Sequence, residues 1–521
     1  VAALIPMLLL ELVLMLMLCA VVLGWVARHF GFPYPIALVV GGSALSFIPN
    51  LPDFPFDPQL VLVVVLPPIL YQAALLTSWK DFKANLRDIG LLAIGLVAFT
   101  TLAVGVAVKL VVPEMPWAAA FVLGAIVSPP DAVAATSILS RLNIPRRIVP
   151  VLEGESLVND ASGLVLYKFA VAAVLTGAFS LADASLQFAG LVLGGLAIGI
   201  VLAFVFIAIH KRLGDPFIEV LMSLSIPYAT YIIAETVHVS GVLAVVAAGL
   251  VRGRYSPEIV SAEMRILARS VWNIFVFVLN SLIFMLIGIH VSHVIANLTQ
   301  YSIGELVLWG SLVSVVAIAV RFVWVYPAAW LPRLLSRTLR EREPRPRKRE
   351  LFVVSWCGMR GIVSLAAALA LPVTLPNGVP FPYRDLIVFL TFFVIATTLI
   401  GQGLTLSPFI RRLKVGADWE SEKERERARS AMRQAAASAI EATSGKASPA
   451  LIKVLQAEFS GVADPDETIR TAGALASDIR RAAIDAERKA LIALWRNNEI
   501  GDEVLHHLEE LLDYREAQLK G

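Results

Sequence analysis

Apolar residues run in long blocks along most of this chain, and polar ones collect in the short gaps between the blocks. From Leu4 to about Pro408 each block is near the 20 residues that a membrane-spanning helix needs. Thirteen such segments can be counted, at 4–27, 34–49, 59–78, 88–112, 116–142, 150–177, 185–210, 216–237, 239–251, 265–290, 302–331, 350–372 and 385–408. The second holds a Gly-Gly pair and the ninth is short. Short strands of alternating pattern, the mark of an outer-membrane barrel, are absent from the sequence. The pattern predicts an all-α membrane protein, because a helix satisfies its own backbone in lipid.

Composition agrees. Of 521 residues, 58% are hydrophobic and only 16% charged, where soluble proteins carry about a quarter charged. Where the charges sit matters more than their sum. Taking every second connection collects 22 Lys and Arg residues, from Arg28 through the Arg333–Arg349 stretch to Lys414, while the intervening connections hold Arg384 alone. Basic loops mark the cytoplasmic side. A wrong span count would scramble this alternation, so thirteen spans are expected, with the N-terminus outside and the C-terminus inside, in the cell (inner) membrane. The first segment is too long for a signal-peptide core and lacks a small-residue cleavage site, so it reads as a span.

After Val415 the composition changes to Glu, Arg, Ala and Lys with Leu and Ile at helical spacing, as in "DEVLHHLEELLDYRE". Residues 1–415 therefore read as a transmembrane domain and 416–521 as a helical cytosolic tail with a regulatory or structural role. No phosphate loop, dinucleotide fingerprint or nucleophile–base set is found. An enzyme, a bound cofactor and a nucleic-acid partner are not expected. Cys19 and Cys357 form no metal or disulfide spacing.

Two segments carry breaks. In segment five, Pro129 and Pro130 fall at the midpoint of "SPPDAV", where each removes a backbone donor, and Asp131 follows at the start of the second half-helix. A helix N-terminus favours a carboxylate, and freed carbonyls nearby can ligate a cation. In segment twelve, Gly358 and Gly361 flank Arg360 in "CGMRG". The two segments run in opposite directions and occupy the same place in two six-helix halves, 1–6 and 8–13, with segment seven as a linker. The expected architecture is thus two inverted six-helix repeats with two crossing discontinuous helices. Paired interruptions of this kind point to a secondary transporter's binding site.

Segment six contains "VLEGESLVNDASGLVLYKFA", with Glu155, Asn159, Asp160 and Lys168 in an otherwise apolar span. Intramembrane ionisable residues are functional candidates. Ser156 and Asp160 share one helix face, and Glu155 and Asn159 share another. Asp160, Asp131, Ser156 and backbone carbonyls would suit a small, hard cation such as Na+, which prefers oxygen ligands. Glu155 is expected to pair with Arg360, as a structural ion pair. Arg321 in segment eleven is expected near the cytoplasmic end, and Lys168 in a snorkelling or packing role.

The stretches "LPPILYQAAL" (66–75), "GAIVSPPDAVAA" (124–135), "EGESLVNDASGLVLY" (153–167), "HVSGVLAVVAAGL" (238–250) and "WCGMRGIVSLAAAL" (356–369) together resemble the sodium/proton exchanger branch of the cation/proton antiporters, in its bacterial form. The similarity covers roughly residues 1–412. It implies a homodimer in membrane lipid whose core domain moves like an elevator. It implies that Asp160 carries the cation or the proton, with Asp131, Ser156 and Asn159 beside it. The Asn159–Asp160 form resembles the electroneutral exchangers. Where some relatives carry an acidic residue after "PPIL[FY]", this chain has Gln72. The implied activity is exchange of Na+, with K+ or Li+ as further candidates, for H+. The alternatives are a potassium-preferring exchanger and, from another class, a cation channel or a membrane sensor. A channel would be expected to show a repeated pore loop or a ring of like charges, and neither is found.

Overall fold

The computed structural model is helical throughout, and among the described residues the one strand-like feature is a single bridge between Thr374 and Pro380. The structure describes all residues except 1–3, 31–32, 47–62, 140–141, 143, 146–147, 178–180, 297, 338–340, 342–345, 377, 414, 416–418, 444–446, 461–473 and 520–521. In chain order the helices of the apolar region are α1 (Leu4–Phe30), α2 (Tyr34–Leu45), α3 (Leu66–Leu76), α4 (Trp79–Ala84), α5 (Leu86–Val111), α6 (Trp117–Val127), α7 (Ala132–Leu139) and α8 (Ile148–Thr176). Then come α9 (Leu181–His210), α10 (Pro216–Thr236), α11 (Gly241–Ile259), α12 (Ala262–Ala296), α13 (Ile303–Leu335), α14 (Lys348–Trp356), α15 (Ile362–Leu369) and α16 (Arg384–Leu413). Taking α6 and α7 as one stretch, eight of these are long and apolar enough to cross a membrane.

The ninth apolar segment is longer than its hydropathy suggests. Ser240 caps α11 through the Leu243 N–H at 3.3 Å, and the helix continues past Arg252 and Arg254 to Ile259. Hydropathy ends a segment at its first charges; backbone hydrogen bonding does not.

One group of helices packs through small residues. The glycine stripe of α9 lies on α11, where a Cβ on Gly195 would come within 2.6 Å of the Ser240 carbonyl oxygen. In turn α11 lies on α3, through Gly249 against Ala74 and the Tyr71 carbonyl. A second group surrounds the two interrupted segments: α5 and α8 pack on α6, and α15 and α16 pack on each other and on α6. Small-residue contacts of this kind let backbones approach where lipid gives no hydrophobic drive for association.

Beyond residue 418 four more helices, α17 (Trp419–Ala442), α18 (Pro449–Ser460), α19 (Ala474–Arg496) and α20 (Asp502–Gln518), form a unit with its own core, including Ile440, Leu455, Leu491, Trp495 and Leu505. This tail is docked onto the apolar region rather than hanging free. Arg265 of α12 reaches Asp513 through two bonds of 2.6 and 2.7 Å, and Arg269 pairs with Glu510. Trp495, only 2% exposed, is faced by the Lys80 ammonium at 4.9 Å and the Arg254 guanidinium at 4.3 Å. Its carbonyl accepts from Lys80, while its indole N–H donates to Asp502, which also accepts from Ser78.

Trp495 therefore belongs to both the tail core and the docking contact. Replacing a buried Trp by Ala costs about 3–5 kcal/mol. Trp495→Ala is expected to raise the rate of trypsin cleavage within 419–519 at least ten-fold in detergent-solubilised protein, with the apolar region left intact. An unchanged cleavage rate would mean that Trp495 does not hold the tail in place.

Candidate functional site

Residues 128–131 separate α6 from α7, and residues 357–361 separate α14 from α15. Prolines 129 and 130 offer no N–H, so the bonding that would carry α6 into α7 cannot form. The two breaks touch: the Asp131 N–H donates to the Met359 carbonyl at 2.6 Å. Gly361 is needed at this contact, since a Cβ there would collide with the Asp131 carboxylate. Four half-helix ends meet here, away from the water that would otherwise satisfy them.

Each pair of ends has its own ion. The Asp131 carboxylate accepts the Val133 N–H at 2.8 Å and also the Ile362 N–H, so it closes the N-termini of both α7 and α15. Arg360, 1% exposed, serves the opposite ends. Its Nε donates to the carbonyl of Val127, the last residue of α6, at 2.9 Å, and it also donates to the carbonyls of Gly358, just past α14, and Ala317, the latter at 3.3 Å. Its own N–H donates to Thr398 Oγ1 at 3.1 Å, within a π-helical stretch of α16, Thr398–Gln402. Negative charge at helix N-termini and positive charge at C-termini are each worth about 0.3–1 kcal/mol at the surface and up to about 2 when partly buried.

The ion pair expected between Glu155 and Arg360 is not formed. Glu155 instead takes both terminal nitrogens of Arg321, one of them at 2.7 Å, and each residue is 1% exposed. Arg321 also donates from Nε to the Val354 carbonyl at 3.0 Å. The physical reason is competition for the guanidinium. The half-helix carbonyls take the donors of Arg360, and the planar fork of Arg321 fits a carboxylate bidentately. Arg321 is thus buried beside the crossing and not placed at a cytoplasmic helix end. Lys168 is exposed.

The remaining residues fall on two faces of α8. Asn159, fully buried, donates from Nδ2 to the Pro130 carbonyl at 3.1 Å, and its Oδ1 has no partner among the described residues. Ser156 accepts the Ala132 N–H at 3.2 Å. Ser156, Asp131 and Asp160 line one cavity of about 200 Å³. Asp160 is 7% exposed, and no donor among the described residues pairs with its carboxylate. Leu66, Ile69, Leu70, Ala73 and Leu76 of α3 form the opposite wall, and Val133, Thr136 and Glu153 continue the cavity away from Asp160. Gln72 is turned elsewhere, donating to Asn273 Oδ1 at 3.3 Å. No group of three or more His, Cys, Asp or Glu side chains is placed to hold a resident metal among the described residues.

Sequence reasoning missed three contributors. Arg321 is an intramembrane arginine whose depth was misread. Thr398 and Glu153 carry no spacing signal of their own: the first depends on a local π-helical turn, and the second was masked by the more conspicuous acids after it.

Two discontinuous helices crossing at a buried carboxylate, with a cavity leading to it, make this a secondary transporter by architecture. The chain belongs to the sodium/hydrogen exchanger family: the family described as "sodium/hydrogen exchanger, transmembrane" matches residues 15–412. It is similar to an uncharacterised Na+/H+ exchanger of Mycobacterium bovis, 33% identical, the match covering 97% of this chain and 96% of that one. It is also similar to a sodium, potassium, lithium and rubidium/H+ antiporter of Bacillus pumilus, 36% identical over 72% of this chain and 57% of the relative. The solved sodium proton antiporter MjNhaP1 of Methanocaldococcus jannaschii shares the fold, with a TM-score of 0.62 at 18% identity, covering 78% of this chain and 99% of that one.

The pairing of Glu155 is directly testable. Removing one partner of a buried ion pair costs about 3–5 kcal/mol. Glu155→Gln and Arg321→Met are each expected to lower thermal stability, and a double-mutant cycle between them should give a coupling above about 1 kcal/mol. The Glu155–Arg360 cycle should give less. Stronger coupling to Arg360 than to Arg321 would reverse the assignment.

Proposed function

We propose that this protein exchanges Na+ for H+ across the cell membrane by alternating access, with Asp160 as the group that holds either ion. The observation that carries the proposal is the placement of Asp160. Among the described residues no side chain pairs with it, and it shares its cavity with Asp131 and Ser156 at the crossing. The names of the relatives support sodium as the cation and leave room for potassium and lithium.

The chemistry follows from the ligand set. Oxygen donors suit a hard cation, and Asp160, Asp131 and the Ser156 hydroxyl supply them around a water-accessible space. A proton on Asp160 removes the charge that attracts the cation, so each ion displaces the other. Asn159 is neutral and holds the Pro130 carbonyl, which leaves Asp160 to carry one charge in each direction. That favours electroneutral exchange. Asp131 contributes to the site from a carboxylate already anchored by two backbone N–H groups.

Movement of the site fits an elevator. The α3 wall of the cavity is an apolar stripe, Leu66, Ile69, Leu70, Ala73 and Leu76, with no polar group to hold the facing α7 and α8 in one position. Helices α5 to α8 and α13 to α16 would travel as the core domain against α3 and α9 to α12, within a homodimer in lipid. Thirteen spans, the N-terminus outside and the basic loops in the cytoplasm complete this reading. The tail, 416–521, would be a cytosolic regulatory unit: its contacts with α4, α11 and α12 support a role at the stationary part.

In proteoliposomes with an internal pH dye, wild-type protein should move protons when sodium is added, and lithium and potassium added in turn will rank the cations. Asp160→Asn should insert and assemble as wild type does and lose cation-driven proton movement entirely. Wild-type exchange rates in that variant would refute the site.

A further inference from the structure

We infer that Glu153 is a second cation-docking carboxylate, a way-station between the cytoplasm and Asp160. It rests on the reading of Asp160 as the exchange site and on the orientation given above. Glu153 lies seven residues before Asp160 on α8, two turns or about 10 Å along the helix on nearly the same face, and both line the same cavity. Ser156 stands between them. No arginine, lysine or hydrogen-bond donor among the described residues partners Glu153.

A half-buried carboxylate without a counter-charge is costly to keep ionised, and a bound cation supplies the missing charge. The two nearby acids of α8 illustrate the contrast. Glu155 is paired with Arg321; Glu153 lines the cavity and has no counter-charge among the described residues. The missing counter-charge is the transported cation.

Thr136 completes the station. It lines the cavity across from α8, and its hydroxyl hydrogen is directed to the backbone, toward the Ala132 carbonyl at 2.9 Å. The hydroxyl oxygen therefore keeps lone pairs available for a cation, as a hard ion requires. Glu153 and Thr136 line the same cavity and, with water, would supply an oxygen set for a cation. Asp131, Ser156 and Asp160 form the deeper set. The apolar stripe of α3 offers no competing ligand between them.

The consequence is sided. A carboxylate at the cytoplasmic end of the cavity concentrates cations at that entrance alone, by about ten-fold for one unit charge about 10 Å from the arriving ion at an effective dielectric near 20. Cations entering from the cytoplasm pass Glu153; cations entering from outside reach Asp160 without it. Neutralising Glu153 should therefore raise the half-saturating cation concentration from one side only, with the maximum rate preserved.

The test uses full-length protein in inside-out and right-side-out membrane vesicles, with sodium as the probe. Glu153→Gln is expected to raise the half-saturating sodium about ten-fold in inside-out vesicles and leave it unchanged in right-side-out vesicles. Glu153→Asp should restore most of the difference, and thermal stability should not fall. An unmoved sodium curve in inside-out vesicles overturns the way-station, as does an equal shift from both sides or a failure of Glu153→Asp to restore it. Asp160→Asn, run alongside, separates the two layers. Loss of exchange there with an unmoved Glu153→Gln curve refutes the way-station alone, and survival of exchange there refutes the site beneath it.

Discussion

Four helix ends meet at mid-depth in this protein, and every other feature of the site is arranged around keeping them satisfied. A continuous helix in lipid bonds its own backbone, but a break frees carbonyls on one side and N–H groups on the other. Water is scarce at this depth, so side chains must answer. Arg360 answers the carbonyls of α6 and the end of α14, and Asp131 answers the N–H groups opening α7 and α15. The two ions are of opposite sign because the two kinds of helix end are. With the crossing neutralised in this way, and Glu155 paired with Arg321, Asp160 is left beside the breaks with no partner among the described residues. An exchanger needs such a group. A carboxylate permanently matched by a protein cation has no reason to release one ion for another.

Much of this was legible in the sequence, for reasons that can be named. Pro129 and Pro130 announce an interruption because proline cannot donate a backbone bond, and the structure interrupts the helix there. Glycines around Arg360 announce the other, and Gly361 leaves the space that Asp131 occupies. Helical spacing alone placed Ser156 with Asp160 on one face and Glu155 with Asn159 on another.

The pairing of Glu155 was not legible. Hydropathy bounds a span but does not fix how deep a charge within it sits, so Arg321 was placed at a helix end although it lies buried beside Glu155. Arg360 also sits in unwound chain, where carbonyls that no sequence pattern reveals compete for its donors. The docking of the tail was hidden for a similar reason. Trp495, Lys80 and Arg254 are far apart in the chain and meet only because α4, α11 and α19 come together.

Two contrasting surfaces follow from the same arrangement. The face of α8 that looks into the cavity is polar, and the face of α3 opposite is apolar. Attraction between such surfaces is weak and non-directional. The tail, by contrast, is held to α4, α11 and α12 by directional charge contacts.

If one carboxylate serves both ions, proton and cation must compete for it. The most direct measurement is the pH profile of exchange, under symmetrical pH, at several sodium concentrations in full-length protein. At low pH the proton occupies Asp160 and excludes sodium, so added sodium should push the acid limb to lower pH. By mass action, each ten-fold rise in sodium above its dissociation constant should move that limb down by about one pH unit. An acid limb that stays fixed while sodium is varied would contradict competition at a single site.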